Sequence, residues 1–297
     1  MLLKKLGLPV IIPMLLSPKI LHIEPTDVCQ LACPLCARET DPVFNKAIKH
    51  HLTVNQIKDK FNVEFIQQLD KMFMCGNYGD PSAGAHTIDI YNYFRDINPT
   101  ITLGMNTNGG LQTKHWWTQL GGLLDRPRDY VVFSIDGLED TNHIYRKNSN
   151  WGKLIENATA FIDAGGRAHW DMLVYAHNQH QVDQCEQLAK SMGFTWFRAK
   201  ISKRPYVNGL EFPIGWQDPI QKTGPIQCIA LQEQSTYIDA QGRISPCCWL
   251  GGTHTDFVTL GEVSATWDND PHPVCQATCS GSNNSFTNQW QREVQLC

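Results

Sequence analysis

Between residues 20 and 200, short apolar runs alternate with longer segments in which apolar residues recur at helical spacing. Repeated βα units around a parallel sheet produce this arrangement. The runs ILHIEP (20–25), KMFMCG (71–76), ITLGMN (101–106), DYVVFSID (129–136), AHWDMLVY (168–175) and TWFRAKI (195–201) are predicted as strands. Helices are predicted between them, over roughly 53–70, 85–97, 113–121, 151–164 and 179–192. The last ends at Gly193, a residue suited to a helix C-cap. Six strands are too few to close in the eight-stranded manner, so the expected fold is α/β, a partial (β/α)6 TIM-like barrel.

After about residue 205 the texture changes. Pro, Gly, Gln, Ser and Cys rise, and QSTYIDAQGRISPCC (234–248) reads as a β-hairpin turning at Ala240, Gln241 and Gly242. The expected organisation is an N-terminal extension over 1–19, the partial barrel over 20–205, and a small cysteine-rich hairpin-and-helix domain over 206–297. The extension carries two lysines and an apolar stretch, but Pro9, Pro13 and Pro18 interrupt it. It has no small-x-small cleavage pattern and is too short to span a bilayer, so it is expected to lie extended over the body. The expectation is therefore a soluble chain with no membrane partner.

Composition narrows the function classes. A chain of 297 residues, 42% hydrophobic and 18% charged, can bury a sizeable core. A net charge of −4 gives no positive field for nucleic acid, which is not an expected partner. The local run KISKR, Lys200 to Arg204, could hold a phosphate or carboxylate, but more often such a run is a solvated loop. The sequons at Asn157 and Asn283 read as chance matches in a cytoplasmic protein.

Eleven cysteines, odd in number and clustered in a long chain, point to metal ligation rather than a disulfide framework. Cys29, Cys33 and Cys36 lie in EPTDVCQLACPLCARET (24–40), spaced C-x3-C-x2-C with no fourth cysteine nearby. Four thiolates would complete a structural zinc or a four-iron cluster, whereas three leave one metal position open. The plainer alternative is a tetrahedral zinc whose fourth ligand is His50, His51 or another side chain. Cys75 and Cys185 read as buried strand and helix residues.

The three-cysteine loop after the first strand resembles that of the radical S-adenosylmethionine (radical SAM) enzymes. Further segments resemble the family in the expected order: CGNYGDP (75–81), MNTNGG (105–110), VVFSIDG (131–137), HIYRKNSNWGKLIENATAF (143–161) and VYAHNQHQ (174–181). Leu35 stands where the family usually has an aromatic residue, and Asp80 where it usually has Glu. The resemblance implies a [4Fe-4S] cluster on Cys29, Cys33 and Cys36, with S-adenosylmethionine on its fourth iron. Reduction would release a 5′-deoxyadenosyl radical that abstracts a hydrogen atom from substrate. The implied cofactor-binding residues are Gly76, Tyr78, Gly79, Asp80, Pro81, Asn106, Asn108, Ser134, Asp136, Arg146 and Asn178.

The second cysteine set resembles the auxiliary-cluster domains called SPASM and, in shortened form, twitch. A full SPASM domain needs more thiols, and residues 262–274 contain none, so one auxiliary [4Fe-4S] cluster is implied. Its expected ligands are Cys228, Cys247, Cys275 and Cys279, with Cys297 able to replace Cys275; a zinc-stapled hairpin is the alternative. Cys248 reads as a small packed side chain or as the hydrogen-atom donor of a redox-neutral epimerase. The resemblance implies an oxidoreductase acting on a peptide or protein side chain or on a small polyol. It also implies a flavodoxin- or ferredoxin-type electron donor, and the need for a reducing compartment to keep clusters and thiols intact makes the cytoplasm the expected location. The segment PYVNGLEFPIGWQDP (205–219) is expected to contribute to the substrate pocket.

Overall fold

The computed structural model describes residues 18–202, 209–216, 224–251, 260–281 and 290–297. All six expected strands form: β1 (Ile20–Ile23), β2 (Lys71–Met74), β3 (Thr102–Thr107), β4 (Tyr130–Ser134), β5 (Ala168–Val174) and β6 (Trp196–Ile201). They pair in sequence order and in parallel, an open sheet with helical crossovers. Three further strands extend it to nine in the order β8-β7-β1-β2-β3-β4-β5-β6-β9. The expected hairpin supplies β7 (Ser235–Ile238) and β8 (Ile244–Ser245), and β7 runs parallel to β1 rather than forming a separate layer. The sequence reading did not foresee β9 (Arg292–Gln295), which lies antiparallel on β6. The expected boundary near 205 falls outside the described residues, as do 1–17, Lys203, Arg204 and Asn283.

Alternation along the strands separates two environments. Leu21, Ile23, Met72, Met74, Leu103, Met105, Phe133, Trp170, Met172 and Phe197 are buried on the convex face in one core cluster. Helices cover that face: Thr87–Ile97 buries Ile90, Tyr91 and Phe94, and Trp151–Asp163 buries Leu154, Ala158 and Phe161. The other face is polar and aromatic. His22 stacks on Phe73 at 4.3 Å, and Tyr130 stacks on His169 at 5.3 Å. The Lys71 ammonium lies 4.9 Å from the Tyr130 ring, and Arg198 forks onto Asp171 at 2.7 and 3.0 Å. The sheet thus carries its hydrophobic core behind it and a chemically varied surface in front.

Two helix expectations change. The segment expected as one helix over 53–70 forms two, Val54–Lys60 and Val63–Gln67, because Asn62 accepts a hydrogen bond from the Phe65 amide and starts the second. The helix expected from 179 begins at Val182 after a single 3-10 turn and ends, as expected, at a left-handed Gly193. Among the described residues no helix is long and apolar enough to cross a membrane.

Phe133 is fully buried and meets Trp117, Phe161 and Phe194. Phe133→Ala is expected to lower the unfolding free energy by about 3–5 kcal/mol, measured by urea denaturation.

Candidate functional site

The carboxyl-end loops of the strands gather most of the candidate residues. The loop leaving β1 carries Cys29, Cys33 and Cys36, and the last caps the short helix Ala37–Thr40. The Leu31 amide and the Asn108 side-chain amide donate to the Cys29 sulfur at 3.4 and 3.6 Å. Arg146 hydrogen-bonds Cys33. Leu31, Leu35, Tyr145, Tyr175 and Leu210 form an apolar shell around the loop. Leu35, the departure noted in the sequence, is part of that shell. Burial is the first cause that pushes the Cys29 thiol up to about 12 and Cys33 up to about 11, so neither ionises in that shell without a cation to offset its charge. Three thiols on one loop, one of them accepting two N–H donors and all of them packed with apolar side chains, suit an iron–sulfur cluster.

The turn after β2 is fixed by close backbone packing. A Cβ on Gly76 would lie 2.1 Å from the Gly79 carbonyl oxygen, and one on Gly79 would lie 1.9 Å from that of Thr26. Only glycine fits at either position. The Tyr78 and Gly79 amides donate to Glu24 Oε1 at 2.6 and 3.1 Å. Tyr237, reaching in from β7, donates its hydroxyl to Glu24 Oε2. Asp80 is turned inward, accepting from Ser82, from the Thr107 hydroxyl at 2.8 Å and from the Asn108 amide at 2.7 Å. Pro81 begins the following 3-10 turn. Asp80 therefore ties the second loop to the third, and Asn108 ties the third to Cys29.

Across the sheet, Asn106 and Ser134 are half-buried on β3 and β4. Asp136 is wholly buried, accepting from Arg146 Nε and from the Leu173 amide, each at 2.6 Å. Asn178 is also wholly buried, and its side chain bonds only to backbone: the Asp136 and Leu173 carbonyls and the Tyr175 amide. Asn178, which the resemblance offered as a cofactor-binding residue, joins the loops after β4 and β5. The described part of the 205–219 segment follows them, with Glu211 accepting from the Ala176 amide and with Phe212 and Ile214 exposed. Lys200 of the basic run is engaged with the Trp290 ring at 4.4 Å.

A second cavity brings together Cys228, Cys247, Cys275 and Cys279. Among the described residues its remaining lining, including Ile226, Trp249, Leu250, Val263 and Val274, is apolar and carries no carboxylate or imidazole. Burial leads the causes that push Cys247 up to about 11 and Cys279 up to about 12, with the neighbouring thiols adding to both. Cys297 does not join them; it follows β9, and its thiol donates to the Phe194 carbonyl at 3.3 Å. Cys248 opens the short helix Cys248–Gly251, and burial, then Cys247 and Cys75, push its thiol well above the ordinary value. Among the described residues no group of three or more His, Cys, Asp or Glu side chains is placed to hold a single metal ion.

The sequence reading missed Glu24, Asn77 and Tyr237. Period-two alternation through ILHIE puts His22 and Glu24 on one face, which was a usable signal for the first. Asn77 and Tyr237 carry no such signal, because their roles depend on β7 meeting β1.

A family model for the radical SAM superfamily matches residues 23–189. No curated protein matches the chain in sequence. Among solved structures, Streptococcus suis SuiB aligns with a TM-score of 0.59 at 14% identity, covering 86% of this chain and 67% of SuiB. SuiB bound to its precursor peptide SuiA aligns with the same TM-score, 86% of this chain against 66% of that one. anSMEcpe with bound AdoMet aligns with a TM-score of 0.54 at 13% identity, 77% of this chain against 74% of that one.

Burial dominates at Glu24 and pushes its carboxyl up to about 7, with Tyr237 and the two amides opposing. Its folded value lies above the ordinary 4.5, so stability contributed by this group is present below that value and lost as pH rises through about 7. Glu24→Gln removes this loss, and thermal melts at pH 5 and pH 8 should show a smaller drop for the variant than for the parent protein.

Proposed function

This chain belongs to the radical SAM superfamily, and we propose that it is an oxidoreductase of that family whose second thiol set holds one auxiliary [4Fe-4S] cluster. The observation that carries the reading is the junction of three loops. Cys29, the turn 76–81 and Asn108 are joined through Asp80 and the Asn108 amide. A cluster on Cys29, Cys33 and Cys36 would supply, with S-adenosylmethionine bound, reductive cleavage of the sulfonium and the hydrogen-abstracting radical.

The chain's own residues provide the setting. N–H donors from Leu31 and Asn108 disperse charge on the Cys29 sulfur. The apolar shell around the loop limits water, which protects a reactive radical. The turn 76–81 offers backbone groups to the cofactor's amino end, while Asn106 and Ser134 face the concavity beside it. Arg146, held by Asp136, keeps a positive charge beside Cys33. The four-thiol cavity gives a closed ligand set, suited to passing electrons rather than binding substrate.

The substrate is a peptide or protein side chain or a small polyol. The likeness to SuiB, whose structure includes a bound precursor peptide, supports the first. A flavodoxin- or ferredoxin-type protein in the cytoplasm would supply the electron.

Anaerobic reconstitution is expected to give about eight irons per chain, falling to about four when Cys29, Cys33 and Cys36 are replaced by Ala. The parent protein is expected to release 5′-deoxyadenosine with a strong reductant and the variant none. Zinc in place of iron, without deoxyadenosine, would overturn the assignment.

A second reading, a redox-neutral epimerase, is favoured by the position of Cys248, whose carbonyl accepts from Asn77 of the turn 76–81 at 2.7 Å, which sets this thiol-bearing residue beside the turn read as the cofactor's seat. In that case Cys248→Ala would still form deoxyadenosine while turnover stops. An unchanged turnover number would leave Cys248 a packing residue.

A further inference from the structure

We infer that Asn77 and Tyr237 are positioning residues through which the four-thiol pocket sets the affinity of the turn 76–81 for S-adenosylmethionine. The inference rests on the reading of that turn as the cofactor's seat. Glu24 holds the turn by accepting from the Tyr78 and Gly79 amides, and its other oxygen is held by the Tyr237 hydroxyl. Tyr237 is 1% exposed and Glu24 2% exposed, so this hydrogen bond is buried at both ends and costly to lose.

What fixes Tyr237 is the segment that follows Cys247. A Cβ on Gly251 would lie 2.3 Å from Cε1 of the Tyr237 ring, so the end of the helix Cys248–Gly251 is pressed against that side chain. Asn77, inside the turn, donates its side-chain amide to the Cys248 carbonyl at 2.7 Å and to the Tyr237 hydroxyl at 3.5 Å. Both routes from the turn end on residues 248–251. That segment is anchored by the thiol pocket, whose lining includes Cys247, Trp249 and Leu250.

The pocket and the turn therefore share a strut. When the four thiols are drawn onto a common centre, Cys247 is fixed, and with it the Cys248 carbonyl and Gly251. Glu24 then presents the turn in one arrangement. When the thiols are not so gathered, the strut loses its anchor and the turn loses its preorganisation. By linkage, cofactor binding then tightens assembly of the thiol pocket by the same factor.

The test is S-adenosylmethionine affinity by equilibrium dialysis on anaerobically reconstituted protein, with iron content and the cluster's EPR signal recorded for each variant. Four proteins form a cycle: the parent, Asn77→Ala, Cys275→Ala/Cys279→Ala, and the combination. Asn77→Ala is expected to weaken binding about fivefold with the iron on Cys29, Cys33 and Cys36 retained, the scale of one buried hydrogen bond. The double cysteine variant is expected to weaken it at least as much, and the combination no further, because both break the same strut. Tyr237→Phe, made in the fully loaded protein, is expected to weaken binding about fivefold while its iron content matches the parent; it keeps the test decisive if the cysteine variant does not fold. Unchanged affinity in Asn77→Ala and Tyr237→Phe, or additive losses in the cycle, would overturn the inference. A parent protein that binds no S-adenosylmethionine would instead overturn the reading of the turn itself.

Discussion

A buried carboxylate is costly unless its oxygens are occupied, and Glu24 is where this structure meets that constraint. It stands one residue past β1, 2% exposed, with two backbone amides on one oxygen and a phenol on the other. The amides belong to the turn after β2 and the phenol to β7, so one side chain joins three segments that are distant in sequence. Around it, Gly76 and Gly79 allow backbones to pass at distances that no side chain would tolerate. The rest of the mouth follows from similar junctions: Asp80 between the second and third loops, Asp136 with Arg146 beside Cys33, and Asn178 between the fourth and fifth.

The division of labour between the sheet's faces explains why such junctions are affordable. The convex face carries the core, with Phe133, Trp170 and Phe197 buried against helices. The main apolar core thus lies behind the sheet, and the concave face can hold ion pairs, imidazoles and thiols in positions suited to chemistry. His22 and His169 show the effect: burial lowers them to about 4 and about 3, so both stay neutral in the concavity at ordinary pH.

Much of this was legible in the sequence because it depends on local pattern. The six strands, the hairpin turn and the Gly193 cap follow from periodicity and turn chemistry. The residues gathered at the mouth follow from motifs at strand ends. What the sequence did not reveal depends on long-range pairing. Nothing in RISPCC says that its hairpin will lie against β1, and so nothing marks Tyr237 as a partner of Glu24. The REVQ run is short and charged, which hides an edge strand until β6 is seen beside it. The same limit applies to the cysteines. Spacing alone left Cys275 and Cys297 interchangeable, whereas the pairing of β9 with β6 carries Cys297 away from the pocket that Cys275 enters.

The placement of β7 also bears on how the chain assembles. β1 leaves the ribosome before the other strands of this sheet, yet its outer neighbour lies more than two hundred residues later. Until β7 emerges, β1 presents an open row of backbone donors and acceptors, the kind of edge that recruits other chains. The contact is also slow to form, since a loop of that length must close before any pairing energy is returned. Solubility during synthesis would then be limited by translation of the hairpin, so pausing before it should promote aggregation even when every residue of the finished protein is unchanged.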